Sequence, residues 1–224
     1  WMHQIRINGP VYAAIAEEAA VDAGADLHFY ESPTRVDRTE NGWEVETVGK
    51  NVRRVIRTKQ LIDCSGGAEA VAMAGLPRLR EEETQPGTLI FKLGGYNVDA
   101  LDADLIQERF LEAYNDGRLQ PGDVRNRDVR FVRYLRSGGE NAQHVHDADA
   151  STADSHSQTN IRGRASLLRI LRFVRSLPGC EDARVQSAQS ETAVRETYRI
   201  VGEYKVTHDD YTSGRVFEDA AAYS

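Results

Sequence analysis

The segment Leu61–Gly75, reading Leu-Ile-Asp-Cys-Ser-Gly-Gly-Ala-Glu-Ala-Val-Ala-Met-Ala-Gly, constrains the fold more than any other stretch. Its apolar start reads as the end of a buried strand, its centre as a tight turn of small residues, and its Ala-rich end as a helix. Ser65, Gly66 and Gly67 stand where strand gives way to helix. The first turn of a helix carries unpaired N–H groups and the positive end of the macrodipole, which together favour an anion, usually a phosphate. Glycines there let a ligand approach the backbone closely. The same junction also serves as an ordinary α/β turn, so binding and structural readings both stand.

The chain upstream supplies the start of an α/β layer. Asn8-Gly9-Pro10 opens a helix expected to run to about Ala23, and Gly24 stops it. Asp26–Glu31 alternates as a strand would, and Pro33 breaks or edges it. Arg35–Thr39, Trp43–Val48 and Val52–Ile62 read as three extended runs joined by Asn41-Gly42 and Gly49-Lys50-Asn51. That is a β-meander whose last run feeds the opening segment.

Downstream, Leu76–Gly87 is a polar stretch bounded by prolines and reads as a loop between domains. Thr88–Leu93 is expected to be a strand, Asp102 to cap a helix through about Asn115, and Val129–Leu135 to be another strand. Asn141–Gln158, rich in His, Asp, Ser and Ala, has no apolar period and reads as a long loop. A helix is expected over about Asn160–Leu177, with Ile161, Leu168, Leu171 and Val174 on one stripe. Its arginines, Arg164, Arg169, Arg172 and Arg175, read as a solvated face. An extended run over Val185–Val194, a short strand over Ile200–Val206 and a helix start at Phe217 complete the expected elements.

A chain of 224 residues, 40% hydrophobic and 28% charged, is long enough to bury a core in one large domain or two small ones. The net charge of −7 argues against a nucleic-acid partner, which would call for a basic patch. No apolar run has the length of a membrane span, and no signal peptide is visible, so a cytoplasmic setting is expected. Cys64 and Cys180 form no metal or redox spacing, and Cys64 is expected to be a small buried side chain. No metal is expected. The opening at Trp1 reads as a piece of a longer polypeptide.

Two clusters carry candidate chemistry. His144 and His146, with Asp147 and Asp149, would share one side of an extended chain. They suit a proton donor or an anion-binding site, a metal site, or a plain surface loop. Arg195 and Arg199, four residues apart around Glu196, would share a helix face and clamp a carboxylate, or else join a structural network with Glu203.

The run Arg195-Glu196-Thr197-Tyr198-Arg199-Ile200-Val201-Gly202-Glu203-Tyr204 resembles a signature of a family of FAD-dependent oxidoreductases. That family is distantly similar to the succinate dehydrogenase and fumarate reductase flavoproteins. Ser213-Gly214-Arg215, Phe217–Ala220, His144–Ala150, Gly163-Arg164 and Pro178-Gly179 continue the match, and the opening segment resembles the family's Ile-Asp-Ala-Thr-Gly-Asp-Gly-Asp. The chain departs at Ser65–Glu69, where one acidic residue is missing, and at Tyr198, Ala193 and Ala142-Gln143. Neither the family's GxGxxG strand–turn–helix nor its segment closing over the flavin is present.

The resemblance implies an α/β (α+β) fold: a partial FAD-binding, Rossmann-like domain with a β-meander over residues 1–87, an α+β cap over 88–194, and a return segment over 195–224. It implies FAD as cofactor, with Pro33, Cys64, Ser65, Gly66 and Gly67 against its adenosine and pyrophosphate. Arg195 and Arg199, and with them His144 and His146, would face a small-molecule substrate as catalytic candidates. The expected partners are that substrate and the missing flanking segments of the same polypeptide. The expected role is a segment of an enzyme passing a hydride between an organic substrate and flavin; the alternative is a truncated, non-catalytic fragment or subunit that binds no flavin by itself.

Overall fold

The computed structural model describes residues 7–125, 127–128, 130–195 and 197–218. In chain order the elements are α1 (Gly9–Asp22), β1 (Glu31–Thr39), β2 (Gly42–Gly49), β3 (Val52–Thr58), α2 (Glu69–Met73), β4 (Arg78–Leu79) and β5 (Phe91–Gly94). A short 3-10 turn at Val98–Ala100 then leads to α3 (Ala103–Asn115), α4 (Phe131–Ser137), β6 (Gly139–Glu140), α5 (Ala153–Arg175), β7 (Arg184–Ala188), β8 (Arg199–Ile200) and α6 (His208–Ser213). Helices and sheets are mixed, as the α/β reading expects, and the named strands pair antiparallel in three small sheets. The chain divides into two compact units, Trp1–Asp63 with Ala70–Leu76, and Cys64–Glu69 with Pro77–Ser224.

In the first unit α1 starts where expected: Asn8 accepts a hydrogen bond from the Val11 N–H, with proline in the first turn. None of its residues is buried. The meander forms with the expected turns, Thr39 pairing Gly42 and Gly49 pairing Val52. The sheet encloses a small core of Val36, Val45 and Ala70, flanked by Trp43, Leu61 and Ala74. Its outer face is laced by Arg53–Glu46 and Arg57–Glu44, and Arg54–Glu31 pairs on the face of Val45. Such cross-strand pairs contribute only a few tenths of a kcal/mol each in solvent and chiefly fix register.

Two strand expectations change here. The run expected over Asp26–Glu31 is irregular, and the strand begins at Glu31 and passes through Pro33. As an edge strand β1 tolerates the proline, at the cost of a register shift between Pro33 and Arg35. The last strand stops at Thr58 rather than Ile62, since no described neighbour pairs with residues 59–63 of this unit. Ile62 is 83% exposed and Cys64 is exposed, so the opening segment does not begin as a buried strand.

The second unit holds the larger core. Phe110 of α3, Phe131 of α4 and Phe173 of α5 meet at its centre, with ring centroids 4.7 Å apart for Phe110–Phe131 and 5.3 Å for Phe131–Phe173. Phe91 and Leu93 of β5, the middle strand of a three-stranded sheet, join the same core. The strand expected over Val129–Leu135 is a helix; Val129 itself lies outside the described residues. Phe131, Tyr134 and Leu135 are its buried residues, a helical i, i+3, i+4 spacing that places all three on one face. The long loop expected to Gln158 ends earlier, because Thr152 and Ser155 cap each other and start α5 at Ala153.

The inward stripe of α5 also differs. Thr159, Gly163, Ser166, Ile170, Phe173 and Val174 are buried, whereas Ile161 and Leu168 are exposed. Of the arginines expected on a solvated face, Arg169 donates two hydrogen bonds to Asp123, 2.9 and 2.7 Å long. Asp123 is 1% exposed and also accepts from Ser166, so this pair is buried on the acid's side. Arg164 and Arg175 donate to the carbonyls of Ser190 and Ala183. Close packing selects small and polar residues where the neighbouring backbone comes near, and periodicity alone does not register that. Near the C-terminus, α6 forms in what reads as a polar loop, while Phe217 starts no helix among the described residues.

Replacing Phe131 with alanine removes a ring that contacts two other phenylalanines. We expect a loss of about 3–5 kcal/mol in unfolding free energy, measured by denaturant titration.

Candidate functional site

The turn Cys64–Gly67 and the start of α2 belong, through Glu69, to the second unit. Gly66 has φ +82°, and a side chain added there would meet nothing within 4 Å, so the backbone is open on that side. Ala68 is buried and also left-handed, at φ +55°. The turn is tied down by its own chain. Ser65 Oγ accepts from the Glu69 N–H at 2.8 Å, and Arg78 donates to the Gly67 carbonyl at 3.0 Å. Arg78 in turn lies 3.8 Å from the centroid of the Tyr198 ring, a cation–π contact.

Two of the N–H groups that an anion at this helix start would use are already taken. The helix is only five residues long, and the Glu69 and Val71 N–H groups already donate to Ser65 Oγ and to the Asp63 carboxylate. The turn meets charge of both signs, since Arg78 donates to the Gly67 carbonyl and the Glu69 carboxylate lies 3.8 Å from the same guanidinium.

The turn instead forms one wall of a cavity of about 390 Å³. Ser65, Gly66, Gly67 and Glu69 line one side, His156 of α5 and Ala150 another, and the run from Glu191 to Val194 with Thr197 closes it. Thr192 is fully buried and held by Asn160, whose Oδ1 accepts from its N–H at 3.0 Å. Gly163 is what lets α5 approach, since a Cβ there would stand 2.2 Å from Thr192 Oγ1. The described lining offers hydroxyls, an imidazole and two carboxylates, and no lysine or arginine. Carboxylates of this kind accept hydrogen bonds from ribose hydroxyls in dinucleotide sites. Set against FAD, the cavity therefore suits a nucleoside end better than a pyrophosphate. Its volume lies near the lower end of small-ligand pockets, enough for part of such a molecule.

A second cluster lies around the His144–His146 stretch. Val145 pairs with Gly87 through two backbone hydrogen bonds, 2.9 and 2.8 Å, and Thr88 pairs with Ala193 in the same way. The His144 N–H donates to the Gly122 carbonyl at 2.7 Å, and the Arg125 N–H to that of Ala142 at 2.6 Å. The two imidazoles meet edge to face with centroids 6.2 Å apart. His144 is half-buried and His146 exposed. Burial, the charges of Arg125 and Arg195, and His146 all hold the His144 pKa below its ordinary value of 6.5.

Of the residues singled out in the sequence, the structure thus brings His144, His146 and Arg195 into one neighbourhood. Arg199 is elsewhere. The segment is not helical: Arg199 and Ile200 form β8 against Arg78 and Leu79, and the Arg199 guanidinium binds Glu81 at 2.6 Å. Glu196, expected between the two arginines, lies outside the described residues. Arg195 donates to Gln85 Oε1 at 3.1 Å. Pro33 belongs to the first unit and Cys64, Ser65, Gly66 and Gly67 to the second. Glu69, His156, Glu191, Thr192 and Thr197 went unread as site residues because no local pattern joins them. Gly163 carried the one legible trace, a glycine inside a helix, where it costs stability and so asks for a packing reason. Among the described residues, no three of His, Cys, Asp and Glu gather as a metal site, and no helix is long and apolar enough to cross a membrane.

A family model described as FAD dependent oxidoreductase matches residues 3–224. No curated protein matches the chain, and no solved structure does.

An imidazole held below its ordinary pKa is neutral near pH 7, and folding costs more as acid is added. As pH falls through 6.5 the unfolded chain takes up the proton first, so stability drops until the folded His144 protonates as well. We expect the His144 ring signals to titrate below 6.5 by NMR, and the midpoint to rise in Arg195→Gln. An unchanged midpoint in that variant would show that Arg195 does not act on the imidazole.

Proposed function

Because the chain belongs to the FAD dependent oxidoreductase family, we propose that it is the part of a flavin oxidoreductase that holds one end of FAD and presents an organic substrate to the flavin. FAD is the cofactor of the family, and when bound it supplies the hydride-accepting and hydride-donating ring. The observation that carries the reading is the cavity of about 390 Å³ built on the Ser65–Gly67 turn, the segment that resembles the family's own cofactor-facing turn.

In this reading Ser65, Gly66 and Gly67 lie along the nucleoside side of FAD, where the open backbone of Gly66 allows close approach. Glu69 and Glu191 accept from sugar hydroxyls, and Thr192 is held in place by Asn160. Cys64 is assigned to the same cofactor surface, and Pro33, in the first unit, is kept as the cofactor contact that the resemblance implies. His144, neutral near pH 7, and Arg195 face the substrate, His144 as the group able to accept or return a proton. His146 orients the first imidazole, and Arg199 braces the return segment through Glu81. Residues 1–87 form the FAD side, 88–194 the cap and 195–224 the return. The pyrophosphate is left to segments of the same polypeptide outside this sequence.

The test is colour. Purified protein extended by its natural flanking sequence should show flavin absorbance and release FAD on denaturation. In Gly163→Ala, whose Cβ would collide with Thr192 in the cavity wall, the FAD content should fall at least severalfold while the fold persists by circular dichroism. Protein with no flavin in any form would overturn the reading and favour the non-catalytic alternative.

A further inference from the structure

Three walls of the cavity are tied together by a side chain that does not line it. Tyr198 is half-buried, and two guanidinium groups stand over its ring, Arg78 at 3.8 Å from the centroid and Arg80 at 5.6 Å. Each arginine is fastened to a different wall. Arg78 donates to the Gly67 carbonyl at 3.0 Å and stands 3.8 Å from the Glu69 carboxylate, both in the turn that lines one side. Arg80 donates to Asp149 at 3.0 Å, next to the lining residue Ala150. The third wall includes Thr197, buried and adjacent in sequence to Tyr198. Tyr198, Arg78 and Arg80 themselves are not among the lining residues.

The segment that carries Tyr198 is otherwise lightly held. β8 pairs with β4 over two residues only, Ile200 with Arg78 and Arg199 with Leu79. The Val201 N–H reaches the Pro77 carbonyl at a long 3.4 Å. Leu79, Ile200 and Val201 are all exposed, so the ladder withdraws little apolar surface from water. The Arg199–Glu81 pair is exposed on both sides and weakens in salt. So short a ladder with so little burial opens locally at low cost. The two cation–π contacts therefore carry much of the join between this segment and the cavity. A planar guanidinium stacked on an aromatic ring is directional, and so sets where the neighbouring Thr197 stands.

We propose that Tyr198 is a latch on the cavity, so that filling the cavity closes the return segment and opening the latch empties it. A ligand whose hydroxyl groups donate to Glu69 fixes the turn, the turn fixes Arg78, and Arg78 holds the ring. Linkage makes the effect reciprocal: the factor by which the ligand favours the closed latch is the factor by which an open latch weakens binding. Tyr198 is thus a positioning residue that acts on the ligand through Arg78 and Thr197. Calling the ligand the nucleoside end of FAD rests on the flavoprotein reading above; the latch itself does not.

The chain with its natural flanking sequence is dialysed free of flavin in potassium bromide, the released FAD is counted, and amide hydrogen exchange is followed with and without adenosine. Adenosine should slow exchange at the Val201 amide by about tenfold, a usual size for coupling between sites, although Val201 does not line the cavity. Tyr198→Leu should abolish that protection and weaken adenosine binding by the same factor. Tyr198→Phe, which keeps the ring, should preserve most of both effects. Should Tyr198→Leu fail to fold, Arg78→Gln and Arg80→Gln, each cutting the ring from one wall, carry the comparison. A Val201 amide indifferent to adenosine, or equal affinity in parent and variants, overturns the proposal. FAD released from protein that shows no such coupling removes the latch and leaves the flavoprotein reading standing. Coupling in protein that never carries FAD keeps the latch and removes that reading.

Discussion

The site region depends on a short backbone seam at Gly87 and Thr88. Each side of it is paired: Gly87 exchanges both hydrogen bonds with Val145, and Thr88 does so with Ala193. Side chains lock the seam from within. Thr88 Oγ1 donates to the Gln143 carbonyl, Gln143 Oε1 accepts from the Leu89 N–H, and Gln143 Nε2 donates to the Gly163 carbonyl. Gln143 is buried, so each of these bonds satisfies a group that would otherwise be stranded away from water. Through it the histidine stretch, α5 and the Glu191–Arg195 run share one frame. Gly87 has no room for a larger residue, since a Cβ there would stand 2.7 Å from the Ala148 methyl.

From that frame the two faces of the region follow. On one side the run Glu191–Val194 closes a cavity whose lining is hydroxyl and carboxylate. On the other, His144 is pressed between burial and positive charge. One face is rich in hydrogen-bond acceptors and the other is basic, so the two suit groups of opposite character. The core beneath, with Phe110, Phe131 and Phe173 in contact, is large enough to hold this unit together. Among its described residues the first unit has three buried apolar side chains, and its α1 has no buried face.

What sequence reasoning read well were features fixed by local chemistry. The Asn8 cap, the two hairpin turns and the Asp102 cap of α3 each need only a few neighbouring residues, and each stands where the pattern put it. The family, too, was legible, because the Arg195–Tyr204 run and the Ser65–Glu69 turn are contiguous. The misreadings came where a short helix mimics a strand, as at Phe131–Ser137, or where a strand was assumed to continue without a partner, as at Leu61–Asp63.

Sequence by itself therefore determined the membership of the chain, its mixed α/β character, the meander and the candidate histidines and arginines. Tertiary structure alone decided which of them meet. It sent Arg199 to Glu81 and left Arg195 on the His144 side, because Arg199 pairs with Leu79 in β8 while Arg195 follows the Ala193–Thr88 bridge. It turned Arg169 from a solvated residue into the partner of a buried aspartate. And it made Ser65–Gly67 one wall of an acceptor-lined cavity, with the Glu69 and Val71 N–H groups of α2 already bonded to Ser65 and Asp63. Which donors remain open depends on residues distant in sequence, and spacing along a chain does not encode that.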